Sequence, residues 1–85
     1  MDCLKAETVM NKDNEEISLY LMHWDWGGFT VQKWSTFKIR NYDTRVKGKY
    51  VEVDNLDEEI DYDRKKDGLC GLNMIKKEIL KGELL

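Results

Sequence analysis

Apolar and polar residues alternate most clearly over residues 16–24. Ile17, Leu19 and Leu21 fall on one side, and Ser18, Tyr20 and Met22 on the other. A period of two predicts a strand with one buried face. Asp25-Trp26-Gly27-Gly28 follows it as a hairpin turn, because glycine reaches positive φ without strain. Residues 29–40 then predict a second long strand. Phe29, Val31, Phe37 and Ile39 share a face, and Lys33 and Ser35 interrupt it at a point where a bulge fits. Asn41-Tyr42-Asp43-Thr44 reads as a turn, and residues 45–53 as the next strand.

Other segments are less regular. In residues 3–10, Leu4, Val9 and Met10 match neither period; the segment is either a strand opening a meander or a short helix. Lys12-Asp13-Asn14-Glu15 is a polar turn. Residues 54–68 form an acidic connecting segment in which Leu56 and Ile60 could anchor a short helix ended by Asp67-Gly68. Leu72, Ile75, Ile79 and Leu80 make the apolar stripe of a helix from about Leu72 to Lys81, with Gly82 as its C-cap. The expected fold class is α+β: a three- to four-stranded antiparallel sheet with one C-terminal amphipathic helix. A small SH3-like or OB-like barrel plus helix is the alternative.

The 85 residues bound this picture to a single small domain, 1–85, with a thin core. Charged residues at 36% and nine aromatic side chains indicate a soluble, folded chain rather than a disordered one. No apolar run approaches the roughly 20 residues of a membrane helix. The first residues lack signal-peptide order. Cys3 and Cys70 are expected as thiols in a reducing compartment, so the expected location is cytoplasmic.

Charge is strongly sorted. Residues 1–29 carry six acids and two bases, residues 30–51 one acid and six bases, and residues 52–67 eight acids and three bases. The net charge of −3 hides a basic hairpin between acidic flanks. With 41–44 as its loop, Arg40 would oppose Arg45, Lys38 oppose Lys47, Thr36 oppose Lys49 and Trp34 oppose Val51. On the other face Ile39 would meet Val46, Phe37 meet Gly48, Ser35 meet Tyr50 and Lys33 meet Glu52. Like charges directly opposed destabilise a sheet by up to about 1 kcal/mol per pair, a cost that an anionic partner would offset. Trp34, Lys38, Arg40, Arg45, Lys47 and Lys49 are therefore the candidate basic binding face. The contrasting reading is a solvated edge, or one neutralised by the chain's own acids.

Asp57, Glu58, Glu59, Asp61 and Asp63 form a second candidate surface, with a charge density like that of a phosphate backbone. Trp26, at the tip of the first hairpin, is a candidate hot spot. No catalytic residue is assigned. His23 stands alone, the cysteines have no paired spacing, and there is no phosphate loop or nucleophile elbow. No metal or other cofactor is expected, since Cys3, Cys70 and His23 lack ligand spacing. The leading expectation is a non-enzymatic protein-interaction module acting on a larger protein, in the manner of a small inhibitor or regulator of nucleic-acid machinery. Small size, acidic balance and absent catalytic groups are shared with phage- and plasmid-encoded inhibitors, a likeness of type without a motif. Direct nucleic-acid binding through residues 33–49 is the alternative, against which a pI of about 5.1 argues. Self-association, basic face to acidic segment, is a third expectation.

Overall fold

The chain reverses direction four times in building its sheet. A computed structural model describes residues 2–25, 28–35, 38–43, 50–53 and 65–82. Five strands, β1 (Asp2–Met10), β2 (Glu16–His23), β3 (Phe29–Trp34), β4 (Ile39–Asp43) and β5 (Val51–Val53), form one antiparallel meander in sequence order. Helix α1 (Lys65–Lys81) follows and lies over β1, β2 and β3. The fold is α+β, with five strands where three or four were expected. The sheet is open rather than a barrel: β1 and β5 stay on opposite edges.

The ambiguous N-terminal segment is a strand, paired with β2 from Asp2↔His23 to Met10↔Glu16, with a bulge between Cys3 and Lys5. Tertiary pairing decides this, because local periodicity is broken by the bulge. The polar turn that follows is closed by Asn11, whose Oδ1 accepts from the backbone N–H of Asp13 (3.0 Å) and of Glu15 (2.8 Å). Asn14 takes φ 65°, a conformation asparagine tolerates better than most residues.

The expected long strand 29–40 is in fact two. The chain reverses after Trp34, and Ser35 N–H and Oγ–H both donate to the Lys38 carbonyl at 3.1 Å. Residues 41–43, expected in a turn, belong to β4. Folding the segment on itself sets Val31 against Tyr42 and buries both. A continuous strand would have outrun its eight-residue neighbour β2. The cost falls on Ile39, which now pairs with Trp34 on the opposite face and is 47% exposed. Of the strand expected over 45–53, Val51–Val53 is observed; residues 44–49 lie outside the described residues.

Ile17, Leu19, Leu21, Val31 and Tyr42 from the sheet, with Val9, meet Leu72, Ile75 and Ile79 of α1. The helical spacing of those three residues brings them onto one face. The helix begins well before Leu72, taking in Asp67 and Gly68. Gly68 is buried, and a Cβ there would stand 2.7 Å from Leu21 Cδ1. A residue that reads as a helix terminator instead lies inside the helix, packed tightly against Leu21 of the sheet. Gly82, at φ 79°, ends the helix with its N–H donating to the Ile79 carbonyl at 3.0 Å. Among the described residues, no helix is long and apolar enough to cross a membrane.

Candidate interaction surfaces

The helix covers one face of the sheet over β1–β3, so the two faces differ chemically. On the helix face, Leu19 opposes Lys33, which opposes Arg40. Lys33 is fully buried, and its Nζ has no hydrogen-bond partner among the described residues. Burial, and then the Arg40 charge, hold its ammonium below the usual lysine range; Glu52 acts in the opposite direction. Arg40 is engaged elsewhere: its Nη1 donates to both carboxylate oxygens of Glu52 at 2.8 Å. The Tyr42 phenol, packed edge-on against Tyr50 at 5.5 Å, is pushed up mainly by burial.

The other face is left open by α1. Trp24 lies there, as alternation predicts, and its Nε1–H donates to Thr30 Oγ1 at 2.7 Å. Thr30 and Met22 are buried beside it. Next to this covered corner runs the row Tyr20–Gln32–Asn41–Val53, followed by the row Ser18–Trp34–Ile39. Trp34 is 45% exposed yet held in place. Its Nε1–H donates to Gln32 Oε1 at 2.7 Å, and Gln32 Nε2 in turn donates to Asn41 Oδ1 at 3.1 Å. Tyr20 meets the indole edge-to-face at 6.0 Å. Ile39, directly opposite Trp34, extends the apolar area, whereas Val51, 67% exposed, lies away from it in the row Met22–Thr30–Asp43–Val51.

The structure separates residues that the sequence had placed together. Trp34 and Arg40 lie on opposite faces of the sheet. The expected registers of Arg40 against Arg45 and Trp34 against Val51 are overturned: Arg40 opposes Lys33, Trp34 opposes Ile39, and Val51 opposes Asp43. The pair expected between Lys33 and Glu52 is replaced by Arg40–Glu52. The cause is the reversal between Trp34 and Ile39, which shifts the pairing of the residues in β4 and β5. Lys38 is exposed at that turn. Arg45, Lys47, Lys49, Trp26 and the acidic set Asp57, Glu58, Glu59, Asp61 and Asp63 lie outside the described residues.

Sequence reading missed Tyr20, Gln32, Asn41 and Ile39 as the surroundings of Trp34. The alternation placing Tyr20 outward was legible; the cross-strand partners depended on the turn. Cys3 is an exposed free thiol and Cys70 a half-buried one. Among the described residues no group of three or more His, Cys, Asp or Glu is placed to hold a metal ion. Nothing matched this chain in comparisons with protein-family models, curated proteins and solved structures.

Proposed function

We propose that this chain is a non-enzymatic, cytoplasmic protein-interaction module that docks on a larger protein through the open sheet face centred on Trp34. The observation that carries the reading is the state of that indole. It is close to half exposed, yet fixed by a hydrogen bond and an aromatic neighbour. An aromatic side chain already held in one orientation loses little freedom on binding, and tryptophan is enriched at binding hot spots. Tyr20 and Ile39 supply an apolar surround, and Gln32 and Asn41 a polar flank. The charge sorting suggests a regulator or inhibitor of a nucleic-acid-processing protein, with the acidic run 57–63 presenting a phosphate-like charge array to it.

Direct nucleic-acid binding is the competing reading. It requires cations beside the aromatic residue. Arg40 is on the other face and bound to Glu52, so the reading would draw on Lys38, Arg45, Lys47 and Lys49. Affinity capture from lysate of the source cells, with and without nuclease, separates the two. A partner protein retained after nuclease treatment by the native chain, and lost by Trp34→Ala at unchanged melting temperature, is the expected result. Retention that depends on intact nucleic acid overturns it.

A further inference from the structure

We propose that the β1 edge is a homodimer interface, where β1 pairs antiparallel with β1 of a second copy about a twofold axis at Ala6. This surface is separate from the Trp34 face and does not rest on the function proposed above. Among the described residues β1 has a neighbour on one side only, and at nine residues it is the longest strand described. Its outward backbone groups form a template for another strand, and the chain has no proline to block it.

The charge pattern of β1 selects one partner and one register. Ala6 is the midpoint of Asp2–Met10, so pairing centred there overlaps the whole strand. It places Lys5 opposite Glu7 of the second copy, and Glu7 opposite its Lys5. Within one chain Lys5 Nζ already lies 3.2 Å from Glu7 Oε1, so the four charges would alternate around the axis. Lys76 of α1 holds the other carboxylate oxygen at 3.0 Å, fixing Glu7 from above. Shifting the axis to Lys5 opposes two lysines, and shifting it to Glu7 opposes two glutamates; both disfavour pairing.

The faces also agree. Lys5 pairs with Leu21 and Glu7 with Leu19, both on the helix face, while Ala6 pairs with Tyr20 on the open face. Twofold pairing at Ala6 therefore continues the sheet with both helices on the same side. The bulge at Leu4 keeps this match beyond the central pairs: skipping one residue, as against β2, sets Thr8 against Cys3 of the second copy, both on the open face. Ala6, with the smallest side chain on the strand, falls on the axis, where two larger side chains would crowd.

Sedimentation at concentrations up to about 100 μM, where weak specific dimers assemble, is expected to show a species of twice 10.1 kDa. Lys5→Glu sets like charges opposite each other twice per dimer and is expected to weaken association about tenfold or more. Glu7→Lys is expected to do the same. Mixing the two variants pairs only opposite charges and is expected to restore a heterodimer. In a Cys3→Ser, Cys70→Ala background, Ala6→Cys is expected to form a disulfide-linked dimer under mild oxidation, and Thr8→Cys is not. Circular dichroism melts establish that each variant is folded. A monomer throughout this range overturns the proposal. So does a dimer indifferent to Lys5→Glu, a mixture that fails to reassociate, or crosslinking through Thr8→Cys instead of Ala6→Cys.

Discussion

Lys33 and Arg40 oppose each other across β3 and β4, and only Arg40 has a counter-ion among the described residues. Lys33 ends its aliphatic stem inside the apolar core, a costly place for a charge. Lys33→Met keeps the length of the stem and removes the ammonium. Urea unfolding is expected to show a gain of about 1–4 kcal/mol, the range found when buried charges are replaced by well-packed apolar groups. The gain should depend on pH. The folded-state pKa of Lys33 is lowered, so between that value and 10.5 the unfolded chain binds a proton that the folded chain does not. Stability of the native chain then rises with pH across that window, and the penalty is complete below it. The gap to Lys33→Met is therefore widest at neutral pH and narrows toward pH 10.5. Both chains carry Tyr42, whose raised pKa lowers stability at higher pH, so the difference between them isolates Lys33.

Glu52 serves Arg40 directly and Lys33 at a distance. Glu52→Gln removes the acceptor of Arg40 and the negative charge that counters the burial of Lys33. Arg40 and Glu52 are each about one third exposed, so solvent screening limits the loss to about 1 kcal/mol or less. The loss should be smaller when Lys33 is already methionine. A double-mutant cycle on Lys33 and Glu52 measures that coupling, and perfect additivity would show that Lys33 does not sense Glu52.

Gly68 tests the helix–sheet contact. Gly68→Val puts a branched side chain where even a Cβ meets Leu21 at 2.7 Å. Leu21 is fully buried and has little room to yield. The expected effect is a loss of about 1–3 kcal/mol from overpacking, seen as a lower denaturation midpoint at unchanged helix content. A neutral result would mean that α1 can lift off the sheet at its first turns without cost.

Much of the fold was legible from local pattern. The alternation in β2 specified which residues face the core, because a half-buried strand admits only one period. The stripe and the capping Gly82 specified the end of α1, since both depend on a single turn of backbone; Leu72, Ile75 and Ile79 are buried as expected, but Leu80, expected with them, is exposed because it falls outside the arc that faces the sheet. The polar turn before β2 was legible for the same reason.

Sequence alone thus determined the class, the identity of most of the core and the exposure of Trp34 as an aromatic on a sheet. Tertiary structure decided the strand count, the register of β3 against β4, and the face on which each charge lies. Two hydrogen bonds from Ser35 to Lys38 set the turn, and a turn displaced by a few residues re-pairs the residues of β4 and β5. Arg40 thereby lost Arg45 as its partner and gained Lys33 and Glu52. Gly68 was misread for a related reason. Its role comes from a contact with Leu21, far away in the chain, and a local pattern carries no information about which distant backbone will approach it.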